Sequence, residues 1–152
     1  MRTVRARAAE WHIDPKRIGV MGWSAGGEVA ALVAYPPGDG NTKSADPIER
    51  VSARPDFQIL VYPGPLGIPD KIPATAPPLF LVGAADDEYV ANVLFDLTRK
   101  YHDAGAQIET HIYAQGKHAF NMGQRSDFIS IRHWPQRLAE WLEDRGYLEA
   151  TN

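Results

Sequence analysis

The stretch IGVMGWSAGGEVAALVAY, residues 18–35, decides the fold. Its first part, 18–22, is a short apolar run bounded by turn-forming residues, which is typical of a buried parallel strand. Its last part, 25–35, is rich in small apolar residues and predicts a helix despite two early glycines. A strand therefore runs into a helix through a Gly-x-Ser-x-Gly turn, and Ser24 lies at the tip of that turn.

The turn around Ser24 has the setting of a nucleophile elbow, in which a serine is exposed between a strand and a helix. Gly22 and Gly26 are expected to let strand and helix pass close together. The N–H of Ala25, at the helix N-terminus, is expected to stabilise an oxyanion. A Gly/Ser turn without function is the alternative, and the flanking strand and helix favour the nucleophile.

Strands and helices alternate along the rest of the chain, which predicts an α/β fold with a parallel sheet. No repeat or composition break divides the sequence, so residues 1–152 are interpreted as a single domain. The predicted loop at 36–56 is long and polar. The other predicted strands are 57–63, 79–84 and a half-exposed edge strand at 107–113, and the other predicted helices are 1–11, 90–105 and 134–146. About four parallel strands flanked by helices are therefore expected.

An acid and a base follow Ser24 in the order that such a fold requires. A serine hydroxyl is a poor nucleophile without a base, and the base needs an orienting acid. Asp86 and Asp87 follow the third predicted strand, and His118 follows the fourth. Two carboxylates cannot both hold one imidazole, and the residue types alone leave the choice between Asp86 and Asp87 open.

Four stretches together resemble the α/β-hydrolase superfamily, and within it acetyl- or xylan-esterase-like and feruloyl-esterase-like serine hydrolases. They are DPKRIGVMGWSAGGEVA, RPDFQILVYPG, APPLFLVGAADDEYV and YHDAGAQIETHIYAQGKHAF, and they cover most of residues 14–120. In the family the acid begins a D-x-x-V pattern, which implies Asp87 rather than Asp86. The family's G-x-H-x-F histidine falls on His118.

The resemblance implies a serine carboxylesterase for short-chain acyl esters, with acetylated carbohydrate among the candidate substrates. Ser24, His118 and Asp87 would form its catalytic triad, and no cofactor is implied. Trp23, beside the nucleophile, is interpreted either as a wall of the acyl pocket or as a core aromatic. Trp134 and Trp141 are seven residues apart, which predicts packing on one face of a helix.

The chain departs from the family pattern at its front. A complete α/β hydrolase places the elbow after its fifth strand, whereas here it follows the first, so the resemblance covers the C-terminal half of that fold. The H-G-G-type loop that would give a second oxyanion donor is absent, which leaves Ala25 as one donor. Three accounts are open: a minimal esterase, a truncated and weakly active or inactive relative that serves as a binding module, or a gene start placed too late.

Composition excludes several other classes. The formal net charge is −3 and the basic residues are scattered, so a nucleic-acid partner is not expected. The chain has no cysteine, and no H-E-x-x-H or similar metal motif occurs. No apolar run approaches the ~20 residues of a membrane span, and the N-terminus lacks the apolar core of a signal peptide. No membrane partner is expected, and a cytoplasmic location is the default expectation.

The apolar strand at 18–22 is expected to lack a neighbour on one side. An open strand edge invites pairing with another chain, and a symmetric dimer is the commonest way to close such a surface. We therefore expect a homodimer, or a higher even-numbered assembly, whose interface involves the first helix and strand.

Overall fold

A sheet of four parallel strands forms the centre of the molecule, as the sequence predicts. The computed structural model describes residues 1–35 and 38–148. In chain order the elements are α1 (Arg2–Ala6), β1 (Gly19–Trp23), α2 (Ala25–Ala34), β2 (Phe57–Val61), β3 (Leu79–Ala84), α3 (Ala91–Asp103), β4 (Ile108–Tyr113), α4 (Ile129–Arg132) and α5 (Trp134–Asp144). The strands lie in the order β1-β2-β3-β4, and each neighbouring pair is parallel.

The parallel register brings the carboxyl ends of the strands to one edge of the sheet. Trp23 at the end of β1 pairs with Val61, and Val61 pairs with Val82 of β3. Ala84 at the end of β3 pairs with Tyr113 at the end of β4. The loops that follow β1, β3 and β4 therefore begin along the same edge, although β1 and β4 are the two outermost strands of the sheet.

Each face of the sheet carries its own apolar core, because side chains alternate between the faces of a strand. On β2 and β3, Leu60 and Leu81 pack with helices α2 and α3. Their neighbours Val61 and Val82 pack with α5 on the other face. All four side chains are fully buried. Burying a Val or Leu side chain contributes roughly 1.5–3 kcal/mol, so these two strands anchor both layers of helices.

The two tryptophans of α5 are core residues, as their spacing predicts. Trp134 and Trp141 are 0% and 2% exposed. They belong to the same apolar cluster as Phe80 of β3, and the rings of Phe80 and Trp141 lie 5.6 Å apart. These contacts fix α5 against the sheet.

The helix predicted over residues 1–11 is wrong beyond its first half. Helix α1 ends at Ala6, and residues 7–12 form turns. A helix in a protein is stabilised mainly by packing of its apolar face. Of the predicted face, Ala8 is buried, but Trp11 is exposed and lies under the guanidinium of Arg7. The second half of the predicted helix therefore has little apolar surface to bury.

The arginines of α1 hold the loop that follows α2. Arg2 donates to the carbonyl oxygens of Val51 and Asp39, and Arg5 donates to those of Ser52 and Arg54. Of the loop predicted over 36–56, Pro36 and Pro37 lie outside the described residues. The remainder, 38–56, contains no helix or strand, in agreement with the prediction.

Two features of the helices complete the architecture. The single-turn helix α4 was not predicted, because four residues are too few to show a helical period. Within the described parts of the chain, no helix is long and apolar enough to cross a membrane.

Gly22 allows the close approach of β1 and α2, and Gly27 allows that of α2 and Pro63 after β2, whereas Gly26, which was predicted to be needed, is not. A Cβ atom at Gly22 would lie 2.0 Å from the carbonyl oxygen of Gly26, and one at Gly27 would lie 2.9 Å from Cβ of Pro63. A Cβ atom at Gly26 would meet nothing within 4 Å. The expectation for Gly26 is therefore wrong, because that residue faces open space at the start of α2.

Gly22→Ala and Gly26→Ala form a matched pair that tests this packing. We expect Gly22→Ala to lower the free energy of unfolding by about 1–3 kcal/mol or more, since the new methyl group overlaps backbone that cannot move away easily. Gly26→Ala should be neutral or stabilising by up to about 1 kcal/mol, because alanine favours the helix. Urea unfolding followed by circular dichroism measures both values. Equal destabilisation by the two variants would contradict the assigned packing.

Candidate active site

Ser24 lies in a sharp turn whose backbone is strained. Its φ of 50° and ψ of −122° are unfavourable for a residue with a side chain. Its N–H donates to the carbonyl of Val61 on β2 at 3.0 Å. Its carbonyl accepts the N–H of Gly27 at 2.9 Å and that of Glu28 at 3.2 Å, which starts helix α2. The sheet on one side and the helix on the other therefore hold the serine in this conformation.

The structure brings Ser24, His118 and Asp87 into one chain of hydrogen bonds. The Ser24 Oγ atom lies 2.8 Å from Nε2 of His118. The other ring nitrogen, Nδ1, lies 2.6 Å from Oδ2 of Asp87. Because a carboxylate can only accept, Nδ1 carries a proton, and in the neutral ring Nε2 is left to accept the serine hydroxyl. This is the arrangement in which an imidazole can take a proton from serine.

Exposure differs along this chain of hydrogen bonds. The carboxylate of Asp87 is 0% exposed, whereas the His118 side chain is 24% exposed. Tyr89 donates its backbone N–H to the second oxygen of Asp87, Oδ1, at 3.0 Å. The acid is therefore buried and held through both oxygens, while the base is accessible from solvent.

The two neighbouring aspartates have different partners. Asp86 is exposed, and its Oδ1 accepts the backbone N–H of Lys117 at 2.8 Å. Asp87 alone of the two contacts the imidazole of His118. Asp86 therefore has a hydrogen-bond partner of its own, although its side chain is exposed. It contacts the backbone beside the histidine.

Two tyrosines that the sequence analysis missed flank the imidazole of His118. The ring of Tyr62 lies 4.8 Å from the imidazole and is buried, and that of Tyr89 lies 5.6 Å from it and is 78% exposed. Tyr62 directly follows β2, at the edge of the sheet where the other site residues gather. That position was the available signal, because loops after parallel strands share one edge.

Ala25 presents its backbone N–H beside the serine. It is the first residue of α2, so no carbonyl within the helix lies one turn earlier to accept this proton. Within the described residues no hydrogen bond from this N–H is found. The donor and the positive end of the helix dipole can therefore stabilise negative charge near Ser24 Oγ.

Trp23 ends β1 immediately before the serine. It is half-buried and packs against the apolar cluster that holds Trp134 and Phe120. Its indole Nε1 is buried, without a hydrogen-bond partner in the part of the chain that the structure describes. The contacts place Trp23 against the core, and its contribution to a substrate pocket stays a prediction.

No group of three or more His, Asp or Glu side chains among residues 1–35 and 38–148 is arranged to hold a metal ion. Near the nucleophile, the titratable side chains Asp87 and His118 are already bonded to each other. The groups available for chemistry here are thus a hydroxyl, an imidazole, a carboxylate and a backbone N–H.

A family model for the alpha/beta hydrolase fold matches residues 1–76, half of the chain. The chain belongs to the α/β hydrolase fold family. Its strand β1, the elbow at Ser24 and helix α2 all lie in the matched region. The expected family is therefore confirmed.

Known proteins similar to this α/β hydrolase chain are esterases. An acetylxylan esterase of Xylanibacter ruminicola is 27% identical over 174 residues, covering 93% of this chain and 33% of that protein. The crystal structure of an acetyl ester-xyloside bifunctional hydrolase from Caldicellulosiruptor lactoaceticus matches with a TM-score of 0.87 and 30% identity. That match covers 97% of this chain and 64% of the other.

A third similar protein is esterase 2 of Thermogutta terrifontis, solved after phosphonylation by cyclosarin. It matches with a TM-score of 0.77 and 26% identity, over 99% of this chain and 62% of that one. The chain thus spans about a third of the curated relative and less than two thirds of these solved structures.

Replacing each aspartate by asparagine tests which one orients His118. Asp87→Asn should slow the labelling of Ser24 by a fluorophosphonate by roughly three to four orders of magnitude, because an amide can hold the imidazole in the wrong tautomer. Asp86→Asn should have a mild effect, since it leaves the contact between Asp87 and His118 intact. Mass spectrometry of the labelled serine measures both rates, and circular dichroism checks folding. The opposite ranking would move the acid to Asp86.

Proposed function

We propose that this chain carries the catalytic residues of a serine carboxylesterase that acts on short-chain acyl esters. The observation that carries the proposal is the hydrogen-bonded series from Ser24 Oγ through His118 to the buried carboxylate of Asp87. The strained, accessible elbow supports it, because strain at a residue between strand and helix is typical of this nucleophile. The names of the similar proteins, which are esterases, support it as well.

In the proposed mechanism Ser24 Oγ attacks the acyl carbonyl while His118 Nε2 accepts the hydroxyl proton. Asp87 stabilises the imidazolium that forms and keeps the ring in the required tautomer. The N–H of Ala25 stabilises the negative oxygen of the tetrahedral intermediate. His118 then gives the proton to the leaving alcohol oxygen, and the acyl group remains on Ser24.

Hydrolysis of the acyl-enzyme repeats these steps with water as the nucleophile and Ser24 as the leaving group. His118 takes a proton from the attacking water, a second tetrahedral intermediate forms, and the carboxylic acid leaves as Ser24 regains its proton. Ala25 is one oxyanion donor of the proposed site. Loss of one such donor typically costs about 10²–10³ in turnover, so a site with a single donor would be slow but measurable.

We favour acetylated carbohydrate as the substrate class, in which a sugar hydroxyl is the leaving alcohol. The matched Xylanibacter protein is an acetylxylan esterase, and the matched Caldicellulosiruptor protein is an acetyl ester-xyloside hydrolase. The exposed ring of Tyr89 beside His118 supports this choice, because an exposed aromatic face suits a sugar ring.

A panel of p-nitrophenyl esters of rising chain length tests the proposed activity. Acetate to butyrate should be hydrolysed fastest, and Ser24→Ala should abolish both hydrolysis and labelling by a fluorophosphonate. Labelling is expected because the Thermogutta esterase, 26% identical, is phosphonylated by cyclosarin. His118→Ala should be almost as damaging, since triad residues act as a unit. Ser130→Ala, which replaces an exposed serine of α4, is the matched control.

Two outcomes would count against this proposal. Hydrolysis at the wild-type rate by Ser24→Ala would refute the assigned nucleophile. Labelling of Ser24 without turnover of any ester in the panel would favour the alternative, a weakly active or inactive relative that serves as a binding module.

We also propose that this chain forms a homodimer. In the described chain β1 pairs only with β2, so the other edge of β1 has unpaired backbone groups. Helix α2, which packs on β1, exposes an apolar stripe at Ala25, Val29 and Leu32, one side chain per turn. Val29 and Leu32 are 60% and 56% exposed.

Size exclusion with light scattering at micromolar concentration tests the dimer. We expect a species of about twice the 16.8 kDa of one chain, since a symmetric dimer is the commonest way to cover such a surface. Leu32→Lys should shift it to monomer, because the charge would have to be buried in the interface. Phe95→Lys, at an exposed position of α3, should leave it unchanged. A stable, active monomer would refute the proposal.

A further inference from the structure

The segment that carries His118 has an unusual backbone. Lys117, Ala119 and Asn121 all have positive φ, at 54°, 63° and 54°. The left-handed region is unfavourable for residues with a Cβ atom, and three such residues in five are not expected of a loop left to itself. Strained conformations of this kind persist only where the surrounding structure fixes them.

Two side-chain oxygens bond the backbone on either side of His118. Asp86 Oδ1 accepts the N–H of Lys117 at 2.8 Å, one residue before the histidine. The hydroxyl oxygen of Tyr62 accepts the N–H of Asn121 at 3.1 Å, three residues after it. Both strained ends of the segment thus have a partner from a different loop of the sheet edge.

Tyr62 is itself firmly held. It is 3% exposed, its N–H donates to Val82 of β3 at 2.7 Å, and its ring packs against Phe120. Burial raises the pKa of Tyr62, and its neutral hydroxyl accepts the N–H of Asn121. The carbonyl of Asn121 accepts the indole N–H of Trp134 at 2.9 Å. The segment is therefore tied to the sheet and to α5 at its far end, and to Asp86 at its near end.

We infer that Asp86 and Tyr62 are positioning residues for His118, which keep its Nε2 atom at hydrogen-bond distance from Ser24 Oγ. The inference rests on the proposed function, and it assigns roles to two residues that do not touch the nucleophile. Asp86 acts as a hydrogen-bond acceptor for Lys117 rather than as a charge near the imidazole. Tyr62 acts through its hydroxyl, in addition to the contact of its ring with the imidazole.

Three substitutions separate these roles. Asp86→Ala removes the acceptor, so the N–H of Lys117 turns to water and the near end of the segment can relax. Asp86→Asn removes the charge but keeps an acceptor oxygen. Tyr62→Phe keeps the ring and removes the bond to Asn121. Because displacement of a catalytic group by about 1 Å can cost on the order of 10²-fold in rate, the first and third should lower kcat by roughly 10- to 100-fold.

The experiment measures kcat and KM for p-nitrophenyl acetate, and the far-downfield proton resonance expected for the short bond between His118 Nδ1 and Asp87. Asp86→Ala and Tyr62→Phe should lower kcat with KM unchanged and should weaken or broaden the resonance. Asp86→Asn should keep wild-type behaviour in both. Asp46→Ala removes an exposed carboxylate that accepts a loop N–H at 2.8 Å away from the site, and Tyr147→Phe removes a partly buried hydroxyl. Both controls should leave kcat unchanged.

Three results would overturn the inference. One is an Asp86→Asn variant as slow as Asp86→Ala, which would assign the effect to charge. Another is wild-type kcat and resonance in both Asp86→Ala and Tyr62→Phe. The third is a loss of kcat in the controls that follows their melting temperatures, which would assign it to general stability. A wild-type protein without esterase activity would instead refute the proposed function, and the resonance would still test the positioning of His118.

Discussion

The backbone of Ser24 is the constraint on which the site depends. With β1 in the sheet and α2 packed across it, the chain must turn within one residue. The turn is so tight that a side chain at Gly22 would overlap the carbonyl oxygen of Gly26. The strain at this residue is balanced by hydrogen bonds to Val61, Gly27 and Glu28. Since β1 and α2 cannot separate without losing their packing on β2, the hydroxyl of Ser24 stays at the edge where the other loops end.

The carboxyl edge of the sheet brings residues from separate strands and loops into one site. A parallel sheet places the ends of β1, β3 and β4 along the same edge, so residues 24, 87 and 118 meet although they are far apart in the chain. The buried carboxylate of Asp87 would be unfavourable alone, and it is stabilised by the N–H of Tyr89 and the imidazole of His118. The same contacts that make its burial tolerable orient the base.

Features that depend on a local sequence pattern could be predicted, whereas features that depend on contacts between distant segments could not. All four strands and the hydrogen-bonded residues Ser24, Asp87 and His118 lie where runs of apolar residues and short motifs place them. The predicted extent of the first helix was wrong, because the burial of Ala8 and the exposure of Trp11 are set by tertiary packing. The open space at Gly26, the contact of Asp86 with Lys117 and the place of Tyr62 beside His118 likewise arise between segments remote in sequence. No local period or propensity records such contacts.

Strain is distributed over the site in a way that suits its proposed chemistry. Ser24 and Tyr62 are strained where they leave neighbouring strands, and Lys117, Ala119 and Asn121 are strained around the base. Ser24, Tyr62 and Asn121 each bond a residue of a strand or helix, and Lys117 bonds Asp86 in the loop after β3. Ala119 lies between His118 and the buried Phe120. A proton transfer between Ser24 and His118 needs the two atoms at a fixed distance, and entropy opposes that in a relaxed loop. These conformations form when the sheet edge folds, before any ester binds. The conformational entropy of His118 is therefore lost during folding and not during the reaction.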